Sequence, residues 1–223
     1  LTILHLVGGI HNEAFMLGLA LVGLELGLRA VNDEHSARWH QWLLFIASGV
    51  LISCAGMVKV TGFIGLGFVG MAWAKRLVDK HSVSPLRAVL SAGVVQLVVL
   101  ALSIAFITVV TGIDIGWVFG QGGAATIRSW LSTTTSVGVG AGFLGMLLGL
   151  GDHTEAILTV TRSVGVIIAT GFMVRMLFAV YRGAIHPVGG LGVSTFVLVV
   201  FFPVVQPWYI LWAILPLAAW ANR

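Results

Sequence analysis

Residues 88–110 run for 23 positions without one charged side chain. That exceeds the roughly 20 residues an α-helix needs to cross the hydrocarbon core of a bilayer. A backbone in lipid must satisfy its own N–H and C=O groups, so a run of this kind is helical. The rest of the 223-residue chain follows the same rule, with 58% hydrophobic and 9% charged residues. Soluble domains carry roughly a quarter charged residues, so this chain has too little polar surface to coat a globule. The formal net charge of +4 needs no nucleic-acid partner, because nothing forms a dense Lys/Arg stripe or a stacking platform. Cys54, the one cysteine, sits in an apolar run and offers no disulfide framework.

The apolar runs predict an all-α, polytopic transmembrane bundle of about seven spans plus one short re-entrant segment. The spans fall at about 7–28, 42–58, 61–76, 88–110, 155–181, 188–203 and 208–220. Trp42 to Trp73 is too long for one span, and Lys59 marks the turn that divides it. Residues 111–135 form a long polar, Gly-rich connection, and the short piece at 137–150 dips in and returns in this scheme; if it crosses instead, the last three helices invert. Pro203 to Pro207 hinges the last pair. With the 29–41 and 75–87 loops inside, nine of the twelve basic residues fall at or near the cytoplasmic face. The three others are Lys59, Arg128 and Arg162, a split that fits the positive-inside rule. The chain opens on Leu1 with no signal-peptide pattern. It reads as one transmembrane domain over 1–223, a fragment of a longer protein whose N-terminal helices and first outer loop precede it.

This orientation gathers the residues that are costly in a bilayer at the outer end. They are His11-Asn12-Glu13, Lys59, Arg128-Ser129-Trp130-Leu131-Ser132-Thr133, Asp152-His153 and Gln206-Pro207-Trp208-Tyr209. Ionisable groups at membrane depth mark a cavity by default. Carboxylate, imidazole, ammonium and guanidinium groups beside tryptophan suit a sugar joined to a phosphate, because aromatic faces stack on sugar CH groups while cations neutralise phosphate. Plainer readings stand beside these. His11-Asn12-Glu13 also reads as a polar helix start, and Lys59 equally as a snorkelling lysine. Arg128 also reads as an ordinary loop charge, and Trp130 and Trp208 as interfacial belt residues. Asp152 and Glu155 have the spacing of a helix-capping box, and Glu25 and Arg29 that of an intrahelical pair.

Two motifs carry no chemistry. Gly65-Leu66-Gly67-Phe68-Val69-Gly70 spells GxGxxG inside an apolar helix without the preceding strand a dinucleotide site requires, so close helix packing is the reading. Gly120-Gln121-Gly122-Gly123 lacks the Gly-Lys-Ser/Thr ending of a P-loop. His5 and His11 are six apart, which is not the spacing of a helical zinc pair, so no metal is assigned.

Gly8-Gly9-Ile10-His11-Asn12-Glu13-Ala14, Arg128-Ser129-Trp130-Leu131-Ser132, Gly151-Asp152-His153-Thr154 and Val205-Gln206-Pro207-Trp208-Tyr209-Ile210-Leu211-Trp212 follow one another along the chain. Together they resemble the actinobacterial polyprenol-phosphate-mannose-dependent α-1,6-mannopyranosyltransferases, membrane enzymes of the GT-C type. Thr133 stands where that family's pattern has proline after Trp-Leu-Ser. The resemblance implies a plasma-membrane, multi-pass transferase with its active site on the extracytoplasmic face. It would move mannose from polyprenyl-phosphate-mannose to the 6-hydroxyl of a mannan of the lipomannan or lipoarabinomannan type. A β-linked donor and α-linked product imply a single inverting displacement, with a carboxylate base on the acceptor and cations on the leaving phosphate.

The resemblance puts that base in the first outer loop, upstream of residue 1. Lys59 and Arg128 would hold the lipid phosphate, with His11 or His153 as a further donor. Asn12, Glu13, Trp130, Ser132, Gln206, Trp208 and Tyr209 would contact the sugar or acceptor. No cofactor or metal is required in this scheme, and the partners are the lipid-linked donor, a mannan or glycolipid acceptor and the membrane. A secondary transporter or lipid-sugar flippase is the alternative, since it also places ionisable groups between broken helices. A non-catalytic scaffold binding lipid headgroups is the third reading.

Overall fold

Along residues 12–119 and 127–222, which the computed structural model describes, the apolar runs are α-helices and no strand occurs. In chain order they are α1 (Glu13–Asn32), α2 (Arg38–Val58), a 3₁₀ turn (Val60–Phe63), α3 (Ile64–His81) and α4 (Pro85–Thr111). A four-residue α5 (Gly116–Phe119), α6 (Thr133–Leu147), α7 (Thr154–Tyr181), α8 (Pro187–Phe201), a second 3₁₀ turn (Pro207–Ile210) and α9 (Leu211–Ala221) follow. The all-α expectation holds.

α1, α2, α4 and α7 are long and apolar enough to cross a membrane. α3 has 18 residues but carries Lys75, Arg76, Asp79 and Lys80 in its last two turns. α6 and α8 have 15 residues each, roughly 22 Å of helix against a hydrocarbon core of about 30 Å. Length therefore puts α6, read from sequence as dipping, in one class with α8, read as crossing. α6 also begins four residues before the expected 137. Ser132 accepts a hydrogen bond from the Thr135 backbone N–H at 3.1 Å, which caps the helix there.

The chain divides into two compact units. Unit one holds residues 1–114, 176–191 and 216–223; unit two holds 115–175 and 192–215.

Glycines set the helix approach in unit one. Gly23 and Gly27 of α1 face α2, where a Cβ would stand 2.7 Å from Ile52 Cγ1 and from Ser48 Oγ respectively. This is the small-residue spacing that lets membrane helices pack backbone to backbone. The glycines of the GxGxxG string face three neighbours: Gly65 meets Ile52, Gly67 meets Leu177 and Gly70 meets Gln96. Helix packing is thus the string's role. The middle of the unit is aromatic, with Phe45 and Trp73 stacked at 4.6 Å and Trp42 edge-on to Trp73 at 4.9 Å.

Unit two repeats the device. Gly138 and Gly142, one turn apart on α6, meet Leu158 and Thr154 of α7, and Gly165 of α7 lies against Thr134 and the Phe201 carbonyl. Thr195 of α8 donates to the Trp212 carbonyl of α9 at 3.0 Å, joining the last two helices.

Candidate functional site

In unit one the turn after α2 brings two charges together. A Cβ on Gly62 would stand 2.7 Å from the Ala55 carbonyl carbon and the Gly56 nitrogen, and one on Gly56 would meet the Phe63 ring. Only glycine at both positions lets the 3₁₀ turn fold back onto α2. The fold-back carries Lys59 to the start of α1, where its ammonium donates to Glu13 Oε1. Glu13 is 2% exposed, and its second oxygen has no hydrogen-bond partner among the described residues. Asn12, just before it, is exposed. A buried carboxylate persists in charged form only when paired, so Glu13 and Lys59 are a structural unit before they are anything else.

At the other end of α1, the Asp33 carboxylate accepts from the Ser36 and His35 backbone N–H groups at 2.9 and 3.1 Å. Hydrogen bonding from the Ser36 side chain first, then from the Ser36 and His35 backbone, holds it below the usual carboxylate range. Glu34 is lowered too, by its bond with Lys80.

Unit two builds a site from hydroxyls, carbonyls and guanidinium groups. α8 ends at Phe201, and Pro203 and Pro207 prevent the helix from continuing. The carbonyls left in this break need donors from elsewhere. Ser132, 0% exposed, donates to Phe202 O at 2.7 Å, and Thr135 donates to Pro203 O at 2.7 Å. Ser129 Oγ donates to Val205 O and accepts from Val205 N at 3.2 Å. The 127–135 segment is thereby pinned to the 202–205 break.

Arg162 ties the same segment to α7. Its Nε donates to Thr135 Oγ1 at 3.1 Å and its Nη2 to Ile127 O at 2.8 Å. Arg128 reaches the Glu155 carboxylate on the first turn of α7, an exposed pair. These groups open onto a cavity of about 760 Å³. Its α7 wall is one stripe at i, i+3 and i+4 spacing: Glu155, Leu158, Thr159, Arg162, Ser163, Val166 and Ile167. The stripe is charged and hydroxylic at its start and wholly apolar at its end.

The residues expected to share one pocket fall in both units: Asn12, Glu13 and Lys59 in unit one, and Arg128, Trp130, Ser132, His153, Gln206, Trp208 and Tyr209 in unit two. His11, and with it His5, lies outside the described residues. Trp130 is 75% exposed and His153, at the start of α7, is exposed too. Gln206 opens the second 3₁₀ turn, its carbonyl accepting from Tyr209 N at 2.9 Å. Tyr209 stacks on Trp212 at 4.2 Å, with Trp208 edge-on to it at 6.4 Å. Ser132 spends its oxygen on the turn. The capping-box reading of Asp152 and Glu155 is corrected in part: Asp152 accepts from Thr154 N at 2.9 Å, but Glu155 turns to Arg128. The Thr154 contacts hold Asp152 below the usual carboxylate range.

Arg162 has no place among the residues expected from sequence to bind substrate, although its signal is in the chain. It is a cation inside a long apolar helix, seven residues after Glu155 and so on the same face.

No solved structure matches the chain. Residues 134–223 match the model of the MptB C-terminal domain, and residues 1–75 that of the alpha-(1->6)-mannopyranosyltransferase N-terminal domain. Over its whole length the chain is 62% identical to alpha-(1->6)-mannopyranosyltransferase B of Corynebacterium glutamicum, covering 37% of that protein. It is 39% identical over its whole length to an alpha-(1->6)-mannopyranosyltransferase of Mycobacterium tuberculosis, covering 43% of it. Over 95% of its length it is 30% identical to alpha-(1->6)-mannopyranosyltransferase A of the same organism, covering 38%. The chain thus spans about two fifths of the length of these relatives. It belongs to the alpha-(1->6)-mannopyranosyltransferase family of the A and B proteins.

Proposed function

We propose that the protein containing this chain is a membrane mannosyltransferase, moving mannose from polyprenyl-phosphate-mannose to the 6-hydroxyl of a mannan on the extracytoplasmic face. The observation that carries this reading is the α7 stripe. Arg128 and Arg162 stand at its polar start, and Val166 and Ile167 continue it into the apolar part of the helix. A prenyl phosphate has the same order of chemistry, an anion followed by a hydrocarbon.

Fixed guanidinium charges would stabilise the phosphate as it leaves, where charge develops. His153 is a further donor close by in sequence, and Trp130, Gln206, Trp208 and Tyr209 supply aromatic faces and a carboxamide for the sugar. Inversion requires a base on the acceptor hydroxyl, and no residue of this chain is assigned that task.

The test is transfer from labelled polyprenyl-phosphate-mannose to an oligomannoside in membranes carrying Arg128→Gln or Arg162→Gln. Loss of charge stabilisation at a leaving phosphate lowers turnover on the order of a hundredfold. Arg128→Gln is the cleaner variant, because its exposed pair with Glu155 contributes little to folding. Wild-type transfer in both variants overturns the assignment.

A further inference from the structure

The opposite end of unit one holds a second cavity, of about 470 Å³, where α1 and α3 finish and the turn between α7 and α8 passes. α1 is 20 residues long, roughly 30 Å, so this cavity lies about one bilayer core from the Glu13–Lys59 pair. Its polar wall contains Lys75, Arg76, Lys80 and His186 with Glu34 and Asp79. Leu28, Val31, Ala72 and Val180 make the wall apolar on the helix side. We infer that this cavity holds the phosphodiester headgroup of an anionic membrane lipid, with its acyl chains along the apolar wall.

Three observations support it. Arg76 lines the cavity, is only 8% exposed and donates to Val31 O and, at 2.8 Å, to Asp33 O; its Nε has no hydrogen-bond partner among the described residues. A guanidinium fixed by backbone carbonyls in the wall of a cavity is a place for an oxyanion. Next, Lys75 is held at the rim. Gly183, at φ +73°, leaves room for Lys75 across the α7–α8 turn, with Lys75 Cε 2.9 Å from where a Cβ would be.

Third, the charges leave a balance of one. Lys75, Arg76 and Lys80 give three positive charges and Glu34 and Asp79 two negative, a remainder of +1 that a monoanionic phosphodiester cancels. The Lys75–Asp79 and Lys80–Glu34 pairs, at 2.6 and 2.7 Å, have both partners well exposed. Pairs of that kind are weak and exchange readily for a phosphate. The apolar wall selects a lipid over a free anion, and basic pockets between helices at the cytoplasmic side are a recurring form of headgroup site. This inference does not rest on the mannosyl-transfer reading.

The test uses the full-length protein in detergent, with native mass spectrometry counting the phosphatidylglycerol or phosphatidylcholine retained. Wild type should keep one phosphatidylglycerol in preference to phosphatidylcholine. Lys75→Gln with Lys80→Gln should weaken that binding about thirtyfold, roughly fivefold for each cation lost near an anionic lipid. Glu34→Gln with Asp79→Asn should strengthen it, because the lysines then lack competing carboxylates. A melting temperature measured without lipid identifies a variant that fails to fold, and single variants replace it. Equal retention by wild type and the lysine variant overturns the proposal. So does weaker binding in the carboxylate variant, which would make the cluster a structural network. Displacement of the lipid by soluble glycerol phosphate at matching concentration would assign the site to a free anion and overturn the lipid.

Discussion

The two units solve the same problem with different materials. Glycine approaches pack both units, but unit one adds an aromatic stack and pairs its buried Glu13 carboxylate with Lys59. Unit two is held by hydroxyl groups that feed the open carbonyls between α8 and α9, with Arg162 reaching across to the same threonine. Packing of the first kind tolerates no change of volume. Bonding of the second kind tolerates volume change but not the loss of a donor. The unit-two cavity is bordered by arginines that this bonding holds, Arg162 on Thr135 and Arg128 on Glu155, whereas the unit-one cavity is lined by none of the stacked aromatics.

Substitutions can break that contrast, beginning with the most severe. Lys59→Ala strands the Glu13 carboxylate, and removing one partner of a buried pair costs about 3–5 kcal/mol. A large fall in melting temperature should be recovered in good part by adding Glu13→Gln. If the single variant melts like wild type, the pair is not what holds the turn. A loss of transfer in Lys59→Ala alone therefore says nothing about phosphate binding; the double variant is the informative one. Gly62→Ala should cost about 1–3 kcal/mol, since the new Cβ meets backbone that cannot rotate away. A melting temperature within error of wild type would contradict the close approach there.

In unit two, Thr135→Val keeps the volume but leaves Pro203 O and Arg162 Nε without their partner, at about 1–3 kcal/mol. Thr135→Ser, which keeps the hydroxyl, should restore most of it. Ordinary stability in Thr135→Val would mean that the hydroxyl network does not carry unit two. The smallest effect concerns Asp152. Its carboxyl is held below the usual range, so the stability it adds is complete above its unfolded value near pH 4 and is lost as pH falls through the lower folded value. Asp152→Asn should abolish that part of the acid dependence, lowering melting slightly at neutral pH and matching wild type in acid. An unaltered acid limb in the variant would remove Asp152 from the account.

Much of the fold is legible along the chain because the bilayer acts on each segment separately. An apolar run of sufficient length must be a helix, whatever its neighbours do. Residues 155–181 were therefore readable almost to the residue, as was the packing role of the 65–70 glycines. Boundaries slipped where a side chain decides them, as at Ser132. The site was legible only in pieces. Glu13 and Lys59 were each singled out, but their pairing is a contact across 46 positions that depends on Gly56 and Gly62 allowing the turn. Arg162 is legible as one of three basic residues away from the cytoplasmic face, while its bond to Thr135 spans 27 positions.

Sequence alone determined that the chain is a set of apolar helices, several long enough to cross a membrane, and four ordered motifs tied it to its family. Tertiary structure decided which costly polar group answers which other: Lys59 for Glu13, Arg162 for Thr135, Arg128 for Glu155. The cost of a charge in lipid is a property of one residue, whereas relief of that cost depends on how closely two helices can approach.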